Sequence, residues 1–177
     1  MNINIRSEKK ADQQEIYEVV KRAFETAEHA DEDEHNLVNR LRNSESFIPE
    51  LSIVATIDEK IIAHVLFTKA IIKNNEQEFA TLALAPVSVV PEFQRKGVGS
   101  KIMTESLQKA KQLGYESVIV LGSNEYYPKF GFTEAAHFDI KAPFEVPSEF
   151  FMALELVGNS LEKVNGTVIY APEFFEK

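Results

Sequence analysis

The chain has 177 residues, 44% of them hydrophobic and 27% charged, which suits one globular domain with a single core. Its formal net charge of −9 at pH 7 disfavours broad phosphate contacts with nucleic acid and docking on an anionic membrane. The absence of cysteine excludes disulfides, thiolate metal sites and a cysteine nucleophile.

The first quarter of the chain predicts a strand and two helices. Alternation of Ile3 and Ile5 with polar neighbours indicates a strand over residues 1–6. A helix with Asp12 as its N-cap follows, and the acidic stretch Glu28–Glu34 leads into a second helix. Apolar residues at helical spacing form the two helix faces: Ile16, Val19, Val20, Ala23 and Phe24 in the first, and Leu37, Val38 and Leu41 in the second.

The next segments predict a hairpin and a strand–turn–helix–strand unit. Apolar, β-branched runs at 51–57 and 61–72 flank Asp58-Glu59-Lys60, which is typical of a hairpin. The apolar run 80–90 predicts a strand, although Pro86 within it requires a bulge or a splay. A glycine turn, a helix and a buried strand at 117–122 follow. The expected helix face consists of Ile102, Ser106, Leu107, Ala110 and Leu113, with Gly114 as the C-terminal cap.

The last third of the chain is less regular. Residues 124–132 predict one or two helical turns, broken by Pro128. Residues 137–149 predict a loop, and 150–157 with 164–170 predict a closing pair of strands. We therefore expect residues 1–177 to form one domain of mixed α/β architecture.

The segment Gln94–Ser100 (QRKGVGS) joins a strand to a helix and is a candidate anion site. Its glycines allow close approach of a ligand, and the N–H groups and dipole of the following helix favour a phosphate. Arg95 and Lys96 add positive charge. The alternative is a helix start that needs glycine only for close packing. A Walker P-loop is excluded because Ser100 precedes Lys101. A dinucleotide-binding fingerprint is excluded because the segment lacks the third glycine of that motif.

Two segments resemble the signatures of the GNAT superfamily of N-acetyltransferases. Val87–Gly99 (VSVVPEFQRKGVG) resembles its acetyl-CoA-binding signature, an apolar strand followed by x-P-x-x-(Q/R)-x-x-G-x-(G/A). Asn124–Phe132 (NEYYPKFGF) resembles its second element. Both stand in the family's order, and the helix-helix-hairpin prelude also matches, so the resemblance covers roughly residues 1–136. The phrases FIPELSIVA, LAPVSV, VLGSNEYYPKFGF, PFEVP and GTVIYAPEF resemble the YhbS-like group and extend it over nearly the whole chain.

The resemblance implies an α/β (α+β) fold with a mixed, largely antiparallel central sheet whose splayed fourth strand is flanked by helices. Residues 1–136 would form the acetyl-CoA-binding core, and 137–177 a C-terminal loop and closing strands. The implied activity is transfer of an acetyl group from acetyl-CoA, the co-substrate, to a primary amine by direct attack in a ternary complex.

The resemblance also implies the residues that bind the cofactor. The backbone of Val87 and Val89 would hold the pantetheine arm, and Asn124 would lie near that arm. An equally strong reading makes Asn124 the N-cap of the following turn. The pyrophosphate would contact backbone groups of Arg95, Lys96, Gly97, Val98, Gly99 and Ser100.

Tyr127 aligns with the family tyrosine that supplies a proton or hydrogen bond to the departing thiolate. Its alternative role is that of a core aromatic, and we expect Tyr126 to be a core residue. The strand at 80–90 lacks the glutamate that many relatives use as general base. The candidates are Glu34, which precedes the second helix near the expected acceptor cleft, His64, which could equally be a satisfied core histidine, and a water chain.

The acceptor would be a small-molecule or peptide amine, and the acidic stretch favours a cationic one. A non-catalytic acyl-CoA-binding sensor or interaction module is the alternative function. The sequence also allows a homodimer. No apolar run approaches the ~20 residues of a spanning helix, and residues 1–30 are charged throughout. We therefore expect a cytoplasmic protein with no nucleic-acid partner, no membrane partner and no metal.

Overall fold

The computed structural model describes residues 1–27 and 30–177. The helices are α1 Gln13–Phe24, α2 Glu34–Arg42 and α3 Val98–Gln112. The strands are β1 Asn4–Ser7, β2 Phe47–Ile57, β3 Lys60–Lys73, β4 Glu78–Val89, β5 Ser117–Leu121, β6 Thr133–Glu134, β7 Ile140–Lys141, β8 Phe151–Glu155 and β9 Gly166–Ile169. Among the helices within the described ranges, none is long and apolar enough to cross a membrane.

The strands form one mixed sheet in the order β1-β2-β3-β4-β5-β8-β6, with β9 paired to β3 and β7 paired to β9. Only the β4–β5 and β7–β9 pairs are parallel. The expectation of a largely antiparallel sheet is therefore confirmed. Consecutive residues of β2 and β3 are buried, so both faces of the sheet are covered. Helices α1 and α2 pack against each other, and α3 packs separately on β2 and β3.

Strands β4 and β5 pair over a short distance and then separate. Their parallel register joins Leu82 to Val118 and Ala83 to Ile119. Beyond this point β4 continues alongside β3 alone among the described strands. Ala85 and Pro86 lie opposite one residue of β3, Leu66, as a β-bulge. The predicted bulge or splay at Pro86 is confirmed, since both occur.

The predicted hairpin and helices are also confirmed, with two local corrections. The hairpin turn residues Asp58 and Glu59 have φ angles of 49° and 66°, as a tight two-residue turn requires. The carboxylate of Asp12 does not cap α1, because it accepts hydrogen bonds from Arg6 at 2.7 Å and from the Lys9 N–H at 2.6 Å. Leu113 lies beyond the end of α3 and is 42% exposed.

The prediction that the last two strands pair with each other is wrong. Strand β8 pairs with β5 along the edge opposite β4. Strand β9 pairs with Ile71–Lys73 at the end of β3, beyond the last residue that β2 covers. Each strand therefore completes a different exposed edge. The predicted loop 137–149 contains the two-residue strand β7.

Candidate active site

A cavity of about 440 Å³ opens where β4 and β5 part. Its volume lies within the range of small-molecule sites. The bulge of β4 forms its floor, and both ends of the chain supply its walls. The lining residues are Phe24, Asp31, Glu34, Leu37, Leu84, Ala85, Pro86, Val87, Leu121, Tyr127, Phe144, Tyr170, Phe174 and Phe175.

The register of β4 turns backbone groups of Val87 and Val89 toward the gap. The N–H of Val90 donates to the carbonyl of Ile62 at 3.0 Å, so Val90 faces β3. Backbone direction alternates in an antiparallel pair. Ser88 therefore also faces β3, whereas Val87 and Val89 face away from it, where no described strand pairs with them. An extended ligand could add to this edge as an extra strand does.

The glycine turn leads directly into α3. Gly97 adopts a left-handed conformation with φ 85°, and α3 begins at Val98, which is fully buried. The first N–H groups of a helix have no intrahelical partner, and here they belong to Val98, Gly99 and Ser100. Arg95, Lys96 and Ser100 are exposed beside them. The predicted anion site is thus an accessible helix N-terminus flanked by positive charge.

Gly99 lies against the side chain of Tyr126. A Cβ atom added at Gly99 would stand 2.8 Å from the Tyr126 hydroxyl oxygen, so only glycine fits without displacing that ring. The half-buried Tyr126 ring packs edge-on against Tyr127 and Phe130. The expectation that Tyr126 is a core residue is wrong, because its side chain extends over the glycine turn instead.

Tyr127 lines the cavity at the end of β5. Its ring packs edge-on against Phe132, 5.7 Å between centroids, and lies so close to Gly122 that an added Cβ would be 2.6 Å from a ring carbon. Burial raises the pKa of the Tyr127 hydroxyl, so the group is protonated at neutral pH. The Tyr127 ring therefore packs as a core aromatic would, and the residue also lines the cavity.

Asn124 does not cap the turn that follows it. The hydroxyl of Ser123 accepts from the N–H groups of Glu125 and Tyr126, both at 3.2 Å, and so provides the cap. The exposed Asn124 side chain donates to Glu149 at 3.4 Å. The N-cap reading of Asn124 is therefore wrong, and the predicted contact of Asn124 with the pantetheine arm stays a prediction.

Glu34 is the first residue of α2 and lines the cavity together with Tyr127. One carboxylate oxygen, Oε2, accepts from the N–H of Asp31 at 2.9 Å. The other, Oε1, is buried and has no hydrogen-bond partner within the described residues. A buried carboxylate oxygen without a partner is costly unless a ligand satisfies it. Glu28, the first residue of the predicted acidic stretch, lies outside the described residues.

His64 is fully buried in β3 and does not line the cavity. Ser52 donates its hydroxyl hydrogen to Glu8, so the Nε2–H of His64 donates to Ser52 Oγ at 2.8 Å. Arg42 binds the same Glu8 carboxylate at 2.9 Å. Desolvation, and secondarily the charge of Arg42, lower the pKa of His64 to about 3. The arrangement matches a core histidine and removes His64 from the candidates for the base.

Burial of neutral His64 predicts loss of stability in mild acid. The folded-state pKa of about 3 lies below the ordinary value of 6.5, so unfolding takes up a proton between these values. The contribution is complete above pH 6.5 and decreases as the pH falls. We expect the unfolding free energy in urea titrations to drop by about 1.5 kcal/mol between pH 6.5 and about pH 5. Constant stability over that interval would contradict a buried neutral His64.

The C-terminal region supplies cavity residues that the sequence patterns did not identify. Phe144, Tyr170, Phe174 and Phe175 are here called the aromatic wall. Phe144 lies in the predicted loop and Tyr170 ends the last predicted strand, whereas Phe174 and Phe175 follow that strand. Tyr170 is central, with ring centroids 6.1 Å from Phe144, 5.1 Å from Phe174 and 6.2 Å from Phe175. Burial raises the pKa of Tyr170. The only signal in the sequence was the number of aromatic residues in an otherwise irregular segment.

Comparison with known proteins agrees with this geometry. The model of the acetyltransferase (GNAT) domain family matches residues 4–135. The structure of YhbS from Escherichia coli, solved in complex with CoA, superposes with a TM-score of 0.89 and 27% identity, covering 99% of this chain and 93% of that one. A GNAT family acetyltransferase from Brucella melitensis, solved with acetyl-CoA, gives a TM-score of 0.80 and 27% identity over 98% of each chain.

Two relatives from Escherichia coli K12 support the same assignment. The uncharacterized N-acetyltransferase YjhQ is 36% identical over 141 residues, 79% of this chain and 75% of its own length. The uncharacterized N-acetyltransferase YhbS is 29% identical over 171 residues, 96% of this chain and 97% of its own. The family match spans most of the chain, and residues of β4 line one cavity together with Tyr127. The chain therefore belongs to the GNAT acetyltransferase family and is an acyltransferase.

Proposed function

We propose that this protein transfers the acetyl group of acetyl-CoA to a primary amine bound in the cavity between β4 and β5. The observation that carries the proposal is that Tyr127 and Glu34 line one cavity beside the open edge of β4, and that one Glu34 carboxylate oxygen has no partner among the described residues. In the reaction the amine nitrogen bonds to the acetyl carbon and the carbon–sulfur bond breaks. An ammonium nitrogen loses two protons, of which one reaches the sulfur and one leaves to solvent.

The donor side of the site fits acetyl-CoA. The backbone groups of Val87 and Val89 face the gap and suit the amides of a pantetheine arm. The N-terminus of α3, from Gly97 to Ser100 with Arg95 and Lys96 beside it, suits the pyrophosphate. Acetyl-CoA supplies the activated acetyl group, and an N–H group of β4 would stabilise the developing oxyanion, an effect of about 3–4 kcal/mol.

Tyr127 is proposed to act on the sulfur. Because burial raises the pKa of its hydroxyl, the group is protonated and can donate to a departing thiolate. Its position is fixed by the contact of its ring with Gly122 and by Phe132. Proton donation by a positioned side chain contributes about 10²–10⁴-fold to a rate.

Glu34 is proposed to remove a proton from the amine. An alkylammonium has a pKa near ~10.4, so at neutral pH it must lose a proton before its nitrogen can attack. The buried Oε1 atom, with no partner in the described ranges, is the available acceptor in the cavity wall. A cationic amine would also satisfy this oxygen before the reaction.

The Glu34→Gln variant tests this role. Glutamine keeps the size of the side chain but cannot accept the proton. We therefore expect kcat to fall at least about tenfold, since proton transfer by a positioned side chain typically contributes about 10²–10⁴-fold. The acid limb of the kcat/KM profile should also flatten. Glu105→Gln, on the exposed face of α3, is the matched control and should leave both unchanged. A wild-type profile for Glu34→Gln would instead favour water as the proton acceptor.

The proposal as a whole is tested by thiol release. Purified protein is mixed with acetyl-CoA and a panel of primary amines, and CoA thiol is measured over time, with acetyl-CoA binding measured by calorimetry. We expect binding and amine-dependent thiol release. Binding without thiol release for every amine would favour the alternative function, a non-catalytic acyl-CoA-binding sensor or interaction module.

A further inference from the structure

The acceptor end of the cavity combines two chemically different surfaces. One is the aromatic wall, in which Phe144 stacks on Tyr170 with an interplanar angle of 18°. Phe24 and Leu37 extend the apolar lining from α1 and α2. The other surface consists of the carboxylates of Asp31 and Glu34. An amine that fills this space must therefore match both a planar apolar surface and a small negative one.

The charge at this end is negative, and within the described residues neither Asp31 nor Glu34 forms a salt bridge. Within the part of the chain that the structure describes, no lysine or arginine lines the cavity. The neighbouring Asp33 is neutralised by Arg40 at 3.0 Å, whereas Glu34 Oε1 is buried without a partner in the described residues. This geometry offers one defined place for a cation, at Glu34 with Asp31 beside it.

Resting on the function proposed above, we propose that the acceptor is a small primary amine carried by an aromatic or similarly planar apolar group. Its ring lies against the aromatic wall, and its ammonium group lies at Asp31 and Glu34. Aromatic rings pair favourably in offset-stacked or edge-to-face arrangements, both of which the wall already contains.

The same two surfaces disfavour a polyamine. A chain with several ammonium groups would place its second and third charges against Phe24, Leu37 and the aromatic wall. Among the described residues that line this cavity, only Asp31 and Glu34 carry a carboxylate, and burial of an unpaired charge against the apolar remainder is costly. The one buried carboxylate oxygen without a partner in the described residues, Glu34 Oε1, suits the single ammonium group of a simple arylalkylamine.

A comparison of three acceptors tests the proposal: 2-phenylethylamine, n-hexylamine and spermidine. Initial rates of thiol release at saturating acetyl-CoA give kcat/KM for each amine. We expect the value for 2-phenylethylamine to exceed that for spermidine at least tenfold, and the value for n-hexylamine to lie between them. A higher kcat/KM for spermidine, or for a lysine peptide added to the panel, would overturn the inference and leave the proposed acetyltransferase function standing.

Variants of the aromatic wall provide the second test. Tyr170→Leu and Phe144→Leu keep an apolar side chain but remove the ring. Each should raise KM for 2-phenylethylamine at least fivefold, change KM for n-hexylamine less than twofold, and leave acetyl-CoA affinity unaltered. Phe138→Leu, an aromatic of the same region that does not line the cavity, is the matched control.

The outcomes separate the two levels of the proposal. The Phe144 side chain is exposed. An equal increase in KM for 2-phenylethylamine and n-hexylamine in the Phe144→Leu variant would overturn aromatic recognition. No thiol release with any amine, in wild-type protein that binds acetyl-CoA, would overturn the acetyltransferase function and the acceptor class with it. A selective loss for 2-phenylethylamine supports both.

Discussion

Tyr127→Phe is expected to lower kcat at least tenfold while acetyl-CoA affinity and folding are retained. The substitution removes only the hydroxyl, and the ring keeps its contacts with Gly122 and Phe132. The loss follows from removal of the proton donor to the sulfur, for which about 10²–10⁴-fold is typical. Steady-state thiol release gives kcat, and thermal unfolding verifies that the fold is unchanged.

Tyr115→Phe is the control for the loss of a tyrosine hydroxyl. Tyr115 follows α3, does not line the cavity and packs its ring partly against the core. This variant should retain wild-type kcat. If Tyr127→Phe also retains it, Tyr127 is a core aromatic alone, and the sulfur must be protonated by another group.

Gly99→Glu is expected to abolish measurable acetyl-CoA binding. The new Cβ would stand 2.8 Å from the Tyr126 hydroxyl and displace that ring from the glycine turn. The carboxylate would also occupy the N-terminus of α3, where we place the pyrophosphate. Like charges brought together cost several kcal/mol, which corresponds to at least about a hundredfold in affinity. Calorimetry measures the loss.

The fold should survive Gly99→Glu, because a negative side chain in the first turn of a helix is compatible with its dipole. Gly158→Glu is the matched control. Gly158 is exposed, and a Cβ there meets no atom within 4 Å. We expect unchanged affinity for the control. Unchanged affinity in a folded Gly99→Glu protein would remove the pyrophosphate from the glycine turn.

The framework of the fold could be predicted from local sequence patterns. Apolar spacing in α1 and α3, the Asp58-Glu59 turn and the glycine turn are each decided within a few residues, and the structure has them where the sequence places them. Pro86 also acts locally. Its missing N–H and fixed φ interrupt the hydrogen bonds between β4 and its neighbours. The bulge and the splay are the result.

The remaining features depend on contacts between residues distant in the sequence. The pairing of β8 with β5 and of β9 with β3 depends on which edges the earlier strands leave open. Tyr126 and Tyr127 are adjacent and identical in type, yet one lies over Gly99 and the other over Gly122. Glu34 could be placed near the cleft from its position at the start of the second helix, whereas its buried Oε1 could only be seen in the folded chain.

The aromatic wall lies entirely beyond residue 135, where the match to the GNAT domain ends. On the proposed assignment, the matched part of the sequence therefore determines the acyl donor, and the unmatched part contributes to the choice of acceptor. Substitutions after residue 135 could change substrate range in evolution without disturbing the glycine turn or β4. Acceptors should be transferred between relatives of this protein only where the residues aligned with Phe144, Tyr170 and Phe174 agree.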